Sequence, residues 1–369
     1  MRVGIDARHL TGSRGVAHYT GALLAALASS FPDDQWVFLV PGRAPLEDRF
    51  GVLAHSNVVL RRHPLPGRVL FGTGRVAGAP RLEALLGDGL DVVWLPAPAP
   101  VALSGEVPFV LTLHDLSFEQ RPRDFTPYER LWHRLARPER LAARAQRIMV
   151  VSKATRDAVA RRWAITEPKV TVVAPGVTPA SPAPTPDAIA EVRTRHRLPA
   201  RYLLVVGALE PRKAPELVAR AHARARREGL DAALVFAGGG RLARRLRGSE
   251  GRVLGFVPVS ELDALYAGAL ALVMPSWLEG FGLPPLEAAA RGTPAVVSDL
   301  AVYDETLGAN ALRFPPGDEV ALAAALMRIV SDGELRGRLV SGARQSIARL
   351  SWERAAHAAR GVLAEAARA

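Results

Sequence analysis

A strand, a glycine-containing loop, a helix and a second strand follow one another between Ala269 and Ser298, and this succession constrains the fold most strongly. The apolar residues from Ala269 to Met274 predict a buried strand, and those from Ala295 to Ser298 predict the next one. Between them, Pro284 and Pro285 suit the first turn of a helix, where a missing N–H costs little, and Gly292 suits its C′ position. This order is typical of open parallel sheets, in which a helix connects two neighbouring strands.

Two glutamates of this stretch, Glu279 and Glu287, stand close to the predicted loop, and Gly280 and Gly282 follow the first of them. Ligands of open parallel sheets gather at the carboxyl ends of the strands. Backbone N–H groups of a glycine loop and of a helix N-terminus favour an anion such as a diphosphate. Carboxylates accept hydrogen bonds from the vicinal hydroxyls of a sugar or a ribose. The alternative is that Glu279 is a solvated loop residue and Glu287 a charge favoured by the helix dipole.

The same alternation of strands and helices runs through both halves of the 369 residues, which are too many for one core of usual size. The proline-rich stretch from Pro175 to Pro186 separates the halves and predicts a stiff linker. We therefore predict an α/β fold of two doubly wound, parallel-sheet domains that face each other across a cleft. Residues 1–178 and 179–348 are the predicted domains, and residues 349–369 form a C-terminal helix.

Composition excludes several classes of protein. The chain has no cysteine, which excludes a disulfide framework and a thiolate metal site. No apolar run reaches the ~18 residues of a membrane span, and the first residues, MRVGIDARHL, lack the apolar region of a signal peptide. We therefore expect a cytoplasmic protein. The net charge of +12 comes from arginines spread through the chain without a stacking motif, so nucleic-acid binding is not expected.

Two adjacent cations, Arg212 and Lys213, follow the apolar strand predicted from Tyr202 to Val206. At the carboxyl end of a strand they suit a diphosphate, because arginine offers a planar fork and lysine a compact charge. Lys213 is one of only three lysines in the chain, beside Lys153 and Lys169. A lysine at this position therefore favours a specific role, because lysine and arginine differ in geometry and hydration. The alternative is an ordinary solvated pair.

The amino-terminal half contains two weaker features. A loop with Gly12 and Gly15 follows the first predicted strand, and these glycines serve either a ligand or the turn itself. His114 and Asp115 directly follow the strand predicted from Val107 to Leu113, where a ligand contact would lie; the alternative is a capping aspartate and a hydrogen-bonded histidine. The glycine-rich stretch from Leu65 to Pro80 predicts a loop over the cleft.

The segment from Arg121 to Arg147 contains eight arginines and three acids. Its residues from Thr126 onward predict a long amphipathic helix that Pro138 kinks or divides. Such a helix can lie on an anionic membrane or contact an acidic acceptor, and it can also be an ordinary surface helix. It is the basis for expecting a weak peripheral contact with the inner membrane face.

Taken together, these features resemble family 4 of the retaining nucleotide-sugar glycosyltransferases, which have the GT-B fold of two Rossmann-like domains. The resemblance covers nearly the whole chain. It rests on the E-x7-E motif from Glu279 to Glu287 with GFG after the first glutamate, on VGALEPRK ending at Lys213, and on LTLHDL around His114. The phrases VSKATR, VAPGV and SWE also match in the same order.

The resemblance implies functions for individual residues. It implies that Arg212 and Lys213 hold the donor diphosphate, that Glu287 binds the ribose hydroxyls and that Glu279 binds the sugar hydroxyls. His114 would contact the sugar near the reacting carbon, so the catalytic residues expected are His114, Glu279, Arg212 and Lys213. The expected donor-binding residues are Gly15, Gly207, Arg212, Lys213, Glu279, Gly280, Phe281, Gly282, Leu283 and Glu287.

It also implies that residues 1–178 bind the acceptor, that residues 179–348 bind the donor and that the final helix packs back on the amino-terminal domain. The chain departs from the family pattern at two places. The family loop G-G-I-x-R-Y is Arg14-Gly15-Val16-Ala17-His18-Tyr19 here, and Ala214 stands where the family often has asparagine.

The resemblance thus implies a retaining transferase that moves a hexose from a donor of the GDP-mannose or UDP-glucose type to a hydroxyl. The acceptor is a glycan, a lipid-linked sugar or a small molecule. No metal or other cofactor is expected, because Arg212 and Lys213 could stabilise the leaving diphosphate. The alternatives are a nucleotide-sugar epimerase or phosphorylase of the same fold, a nucleotide-sugar-binding protein without turnover, and a Rossmann-type oxidoreductase. The last lacks its G-x-G-x-x-G motif here.

Overall fold

The computed structural model describes residues 1–369 except 13–14, 44–45, 47, 49, 179–182 and 249–250. Contacts between Cα atoms divide the chain into two compact units. Unit 1 consists of Met1–Gly176 and Trp352–Ala369, and unit 2 consists of Val177–Ser351. The domain ends predicted at residues 178 and 348 lie within three residues of these divisions. Part of the predicted glycine loop, residues 13–14, and part of the predicted linker, residues 179–182, lie outside the described residues.

Thirteen strands are described, and most are continuous apolar runs. In chain order they are β1 Arg2–Asp6, β2 Gln35–Pro41, β3 Val58–His63, β4 Val92–Leu95, β5 Phe109–Leu113, β6 Arg147–Val150, β7 Val170–Val172, β8 Tyr202–Val206, β9 Ala233–Ala237, β10 Arg252–Gly255, β11 Ala271–Met274, β12 Ala295–Ser298 and β13 Leu312–Phe314.

Helices connect these strands. In chain order they are α1 Gly15–Ser30, α2 Gly67–Ala77, α3 Leu82–Leu86, α4 Ser117–Gln120, α5 Pro127–Ala136, α6 Pro138–Arg144, α7 Lys153–Trp163, α8 Pro186–Arg195, α9 Pro215–Arg227, α10 Ala243–Leu246, α11 Val259–Ala267, α12 Leu283–Ala290, α13 Val302–Thr306, α14 Glu319–Ser331, α15 Gly333–Ile347 and α16 Trp352–Ala367.

Each unit is built on one parallel sheet. The seven strands of unit 1 have the order β3-β2-β1-β4-β5-β6-β7, and the six strands of unit 2 have the order β10-β9-β8-β11-β12-β13. The central strands β4, β5, β11 and β12 are buried along their whole length, as expected for a parallel sheet covered by helices on both faces. The predicted α/β class with two doubly wound parallel sheets is confirmed. The order reverses between β1 and β4 in unit 1 and between β8 and β11 in unit 2.

The loop predicted from Leu65 to Pro80 is wrong, because most of that segment forms α2. Leu70 and Phe71 are buried in the core of unit 1, and this tertiary packing outweighs the low helix propensity of the glycines around them. Gly74 lets the helix approach the chain closely: a Cβ atom there would lie 3.1 Å from the Pro80 carbonyl oxygen.

The long helix predicted from Thr126 is divided at Pro138, as the sequence indicated. Thr126 and Glu129 form a reciprocal capping box at the start of α5. The helix ends at Arg137, whose φ of 47° is left-handed, and α6 then begins at Pro138. The arginines of this segment are therefore presented by two short helices.

The last helix, α16, belongs to unit 1. It packs against α1 and against β4, β5 and β6. At its start the indole of Trp352 lies beside the rings of His18 and Tyr19, with ring centroids 6.1 and 6.0 Å apart. The sheet of unit 1 is thus covered by chain segments from both sides of unit 2 in the sequence.

Candidate functional site

The strongest candidate site lies at the point of unit 2 where the strand order reverses. The neighbouring strands β8 and β11 end there, and their loops carry the Arg212–Lys213 pair and the Glu279 loop. The backbone N–H of Trp277 donates to the carbonyl oxygen of Arg212 at 2.9 Å and joins the two loops. Ligands of open α/β sheets bind at such reversals, so the fold brings both predicted motifs to the expected place.

The side chains of Lys213 and Glu279 form a direct ion pair. Only 17% of the lysine side chain and 7% of the glutamate side chain are exposed, so the alternative of a solvated Glu279 is wrong. The hydroxyl of Ser276 also donates to a Glu279 carboxylate oxygen at 2.5 Å. Ser276 is fully buried, and the sequence analysis missed it although it lies three residues before the motif. A partly buried carboxylate held in this way has a defined orientation.

Arg212 supplies a further positive charge beside this pair. It is half-buried, in a short 3-10 turn with Lys213, and among the described residues it forms no ion pair. Lys213 and Glu279 neutralise each other, so the guanidinium of Arg212 leaves the junction with an excess of positive charge. An anion bound here would be attracted by this charge and by the fork of N–H donors.

Glu287 lies on α12 with its own partner. The hydroxyl of Tyr266 donates to the Glu287 carboxylate at 2.9 Å. Burial and the neighbouring carboxylate raise the pKa of Tyr266 well above its ordinary value, so the phenol stays protonated as a donor. The guanidinium of Arg291 lies over the same ring, 5.8 Å from its centroid. Tyr266 has no signal in the sequence, because it lies on α11 and only the fold brings it to Glu287.

The glycine loop between the two glutamates is tightly packed. Gly280, Phe281 and Gly282 are buried, and Gly282 has a φ of +81° that favours glycine. A Cβ atom at Gly282 would lie 2.6 Å from the ring of Tyr303. Leu283 begins α12, and because Pro284 and Pro285 lack N–H groups, Leu283 is the N–H donor of the first three helical positions. Leu283 is therefore the one backbone donor that these three positions could offer a ligand.

Gly207 directly follows β8 and has a φ of +121°. The turn after β9 packs on it so closely that a Cβ atom at Gly238 would lie 1.9 Å from the Gly207 oxygen. Both positions require glycine, and they fix the path of the chain that leads to Arg212.

In unit 1, His114 follows β5 as predicted. Its Nε2 lies 2.9 Å from the carbonyl oxygen of Pro96, which can only accept, so Nε2 carries the proton. Burial lowers the pKa of His114 below its ordinary value, although Pro96 and Asp115 oppose this. The ring is neutral at neutral pH, and Nδ1 is left as an acceptor suited to a hydroxyl. The ring of Tyr19 packs perpendicular to it, with centroids 4.8 Å apart.

A cluster that the sequence analysis missed lies at the same edge of this sheet. Asp6 ends β1 and is fully buried, and Arg8 binds it through two contacts of 2.7 and 2.8 Å. Burial lowers the pKa of His9 to about 4. The charge of Asp6 opposes this shift, and those of Arg8 and His114 add to it. Nε2 of His9 is buried without a hydrogen-bond partner in the described part of the chain. The sequence does place these polar residues directly after the first predicted strand, where a ligand site is expected, but the prediction considered only the glycines that follow them.

Gly15 is the first residue of α1, and among the described residues none outside its own helix and chain neighbours would come within 4 Å of a Cβ atom placed there. Neither Gly12 nor Gly15 has a positive φ. Their backbone conformations therefore do not require glycine.

Among the residues that the structure describes, no three or more His, Asp or Glu side chains are grouped so that they could hold a metal ion. Nor does any helix in the described ranges have the length and apolar character needed to cross a membrane.

Comparison with known proteins gives two family matches. The family described as Glycosyl transferases group 1 matches residues 190–346, and Glycosyltransferase Family 4 matches residues 13–181. The chain is 32% identical over 334 residues to the D-inositol 3-phosphate glycosyltransferase of Salinispora tropica, covering 80% of this chain and 67% of that enzyme. It is 37% identical over 102 residues to O-antigen chain mannosyltransferase B of Escherichia coli, covering 28% of this chain and 27% of that enzyme.

A solved structure shares the fold. Anabaena HepE, determined in complex with UDP and glucose, superimposes with a TM-score of 0.70 at 16% sequence identity. The match covers 99% of this chain and 99% of that one.

Proposed function

The chain belongs to glycosyltransferase family 4, whose fold is GT-B, and we propose that it is a retaining enzyme that transfers a hexose from a nucleotide-diphosphate sugar to an acceptor hydroxyl. The predicted glycosyltransferase class and fold are confirmed at this level. They displace the oxidoreductase alternative.

The observation that carries the proposal is the junction of Arg212, Lys213 and Glu279 at the strand-order reversal of unit 2. Negative charge grows on the leaving diphosphate during glycosyl transfer. Preorganised cations aimed at this charge stabilise the transition state more than the ground state. An ammonium group has three N–H donors, so Lys213 can bind a phosphate oxygen while it keeps Glu279 oriented.

The two glutamates would then bind hydroxyls at the two ends of the donor. We assign Glu279 to the hexose hydroxyls and Glu287, oriented by Tyr266, to the ribose hydroxyls. The N–H of Leu283 and the backbone near Gly280 and Gly282 would add donors to the sugar or the phosphate.

We assign the acceptor side to unit 1. The neutral Nδ1 of His114 would accept a hydrogen bond from a hydroxyl of the sugar being transferred. His9 lies at the same sheet edge, and its Nε2, which has no partner among the described residues, offers a further polar group for an acceptor. Gly15 would bring the start of α1 close to the diphosphate.

The donor is a hexose nucleotide of the GDP-mannose or UDP-glucose type. The first type is supported by the mannosyltransferase relative, and the second by the UDP and glucose bound to HepE. The acceptor is a glycan, a lipid-linked sugar or a small molecule. We propose that the reaction needs no metal, because Arg212 and Lys213 supply positive charge at the diphosphate. Retention would follow from attack on the face that the leaving group departs from.

We also propose that the enzyme works in the cytoplasm and contacts the inner membrane face weakly through the Arg121–Arg147 segment. On α5, the exposed side chains of Tyr128 and Leu131 lie among Arg130 and Arg134. Exposed apolar groups between arginines suit the boundary of an anionic bilayer. Co-sedimentation with anionic vesicles should weaken when Arg123, Arg130 and Arg134 are changed to glutamine, and unchanged binding would remove this part of the proposal.

The first test is a thermal-shift series with GDP- and UDP-sugars in the presence of EDTA. A ligand at a hundred times its dissociation constant stabilises a protein by about 2.7 kcal/mol, which gives a visible shift in Tm. We expect one nucleotide family to stabilise the enzyme without metal, and NAD to have no effect. No response to any nucleotide sugar would contradict the donor assignment.

Turnover separates the remaining candidates. With the stabilising donor, an epimerase would change the sugar without an acceptor, whereas a transferase releases nucleoside diphosphate faster when an acceptor hydroxyl is supplied. Proton NMR of the product would give the anomeric configuration. An inverted configuration would overturn the retaining assignment and leave the donor site intact.

A further inference from the structure

Five arginines from separate parts of unit 1 line one pocket of about 460 Å³ between α2 and α6. Arg75 comes from α2, Arg81 directly precedes α3, Arg137 is the turn between α5 and α6, and Arg140 and Arg144 lie on α6. We call this the arginine pocket. Only three of its arginines belong to the basic segment that the sequence singled out, and the fold adds the other two.

The rest of the arginine pocket is apolar. Residues 101–103, between β4 and β5, contribute valine, alanine and leucine side chains, and Leu141 of α6 is buried beside them. The close approach at Gly74 brings α2 against this segment. Nε of Arg75 donates to the carbonyl oxygen of Leu135 at 3.1 Å, which fixes its guanidinium relative to α5. The pocket thus has an apolar wall and at least one oriented cation.

Among the residues that the structure describes, no carboxylate lines the arginine pocket. Within the described residues, none of the five arginines of this pocket forms an ion pair. By contrast, Arg121 and Arg147, at the ends of the Arg121–Arg147 segment, form ion pairs with Asp124 and Glu365. The acid nearest in sequence to Arg81 is Glu83, and its carboxylate instead accepts hydrogen bonds from the N–H and hydroxyl of Ser104. Five uncompensated cations around one cavity create a strongly positive potential.

We propose that the arginine pocket binds a ligand that carries at least two phosphate groups. Guanidinium forks match phosphate oxygens in a bidentate geometry, and arginine keeps its charge at every physiological pH. The volume lies within the range of small-molecule sites. Such a ligand would also relieve the mutual repulsion of the arginines.

This site is separate from the candidate site of unit 1. Arg144 lies just before the amino end of β6, whereas His114 follows the carboxyl end of β5, and parallel strands have these ends on opposite edges of the sheet. Binding here is therefore independent of whether the chain is a transferase. The phosphate groups have two possible sources, a soluble phosphate compound and the headgroups of an anionic membrane, and both present the same oxygens.

The test is hydrogen–deuterium exchange measured by mass spectrometry, because it reports protection locally and separates this pocket from a diphosphate site in unit 2. One arm uses inorganic pyrophosphate, and the other uses phosphatidylcholine vesicles with and without phosphatidylglycerol. The pocket variant is Arg140→Gln with Arg144→Gln. The matched control is Arg61→Gln with Arg161→Gln, which removes the same charge from exposed positions of unit 1 outside the pocket.

We expect pyrophosphate, anionic vesicles or both to slow exchange in peptides that cover α6 and residues 101–103 of the wild-type protein and the control. In the pocket variant the concentration needed for half-maximal protection should rise at least ~10-fold, because two charge-assisted contacts are lost. Whichever of the two probes gives protection identifies the source of the phosphate groups. Both glutamine variants should keep the wild-type Tm, since all four side chains are exposed.

Three results would overturn the proposal. The first is no protection of α6 by either phosphate source. The second is equal protection in the pocket variant and the control. The third is protection by vesicles without phosphatidylglycerol, which would show apolar contact in place of anion binding. A further variant, Arg140→Lys with Arg144→Lys, keeps the charge and should retain more binding than the glutamine pair.

Discussion

The two carboxylates of the unit 2 site already have partners, whereas two features of unit 1 lack them. In unit 2, Glu279 is paired with Lys213 and Ser276, and Glu287 is paired with Tyr266. In the described part of unit 1, Nε2 of His9 is buried without a partner, and no carboxylate lines the arginine pocket. A site whose groups are already paired is shaped before its ligand arrives, whereas an uncompensated site gains its missing partner from the ligand. We therefore expect the two carboxylates of unit 2 to be held rigidly, and His9 and the arginine pocket of unit 1 to respond more strongly to pH and to ligands.

Two glycines give the sharpest structural test of this difference. Gly282→Ala places a Cβ atom against the Tyr303 ring at a left-handed φ, and overpacking with backbone strain should cost about 2–5 kcal/mol of unfolding free energy. Gly15→Ala meets open space and should change stability by less than about 0.5 kcal/mol. Urea unfolding measures both. The contrast fails if the two variants are equally stable.

Gly15→Ala also separates the two possible roles of that residue. If the start of α1 approaches the donor diphosphate, the variant should be stable and yet slow in transfer. Normal transfer by a stable Gly15→Ala enzyme would exclude the proposed approach. Gly337→Ala, at an exposed position of α15 with open space around it, is the control and should be slightly stabilising.

The paired cations and carboxylates of unit 2 should matter most for turnover. Lys213→Ala and Glu279→Ala should each lower transfer at least ~10²-fold while the protein stays folded, as is typical for groups that stabilise developing charge. Lys169→Ala removes a lysine whose Nζ binds the Ala143 carbonyl of unit 1, and it serves as the control. Initial rates with saturating donor are the measurement, and circular dichroism checks the fold. Near-normal rates in both site variants would contradict the assigned roles.

The unpaired histidine of unit 1 should make the protein sensitive to acid. The pKa of His9 is about 4 in the folded state, below the ordinary value of 6.5. Between these values the unfolded chain binds a proton that the folded chain does not, so the free energy of unfolding falls as the pH falls from 6.5 to 4. Because His9 is partly exposed and solvent screens its interactions, the free energy of unfolding should fall by about 2 kcal/mol.

This pH dependence can be measured by urea unfolding at several pH values. His9→Gln should remove much of the loss, while His55→Gln, a control elsewhere in unit 1, should keep it. A loss of the same size in the His9→Gln protein would assign the acid sensitivity to other groups, of which His114 and His133 are the next candidates because burial lowers the pKa of each.

The smallest expected effect concerns Tyr266. Tyr266→Phe removes the hydroxyl that orients Glu287 and leaves both charges of the donor site in place. The KM for the donor should rise roughly 5-fold, in line with one hydrogen bond of about 1 kcal/mol, and kcat should stay the same. Tyr128→Phe, at an exposed position of α5, is the control. A fall in kcat instead would indicate that Tyr266 acts on the reacting end of the donor.

Site residues that share one short segment were predictable from the sequence, whereas residues joined only by tertiary packing were not. Arg212 and Lys213 adjoin a strand end, and Glu279 and Glu287 share one loop and helix, so short motifs reveal them. Tyr266 and the arginine pocket depend on segments that only tertiary packing joins. The strands were readable because continuous apolar runs mark buried parallel strands, while β13 was missed because it has three residues and includes Arg313.

The helix α2 shows the opposite failure. Its glycines predict a loop, yet the burial of Leu70 and Phe71 decides for a helix. Local propensity is a weak guide wherever a few buried side chains supply the stability of the whole element.

The position of α16 affects the order in which the protein can be built during synthesis. A ribosome delivers the strands of unit 1 first, then all of unit 2, and only afterwards the helix that covers α1 and β4 to β6. The nascent amino-terminal unit must therefore wait with an exposed apolar surface while unit 2 emerges. At ~5–20 residues per second, the 175 residues of unit 2 correspond to roughly 9–35 s during which this surface is exposed to chaperones.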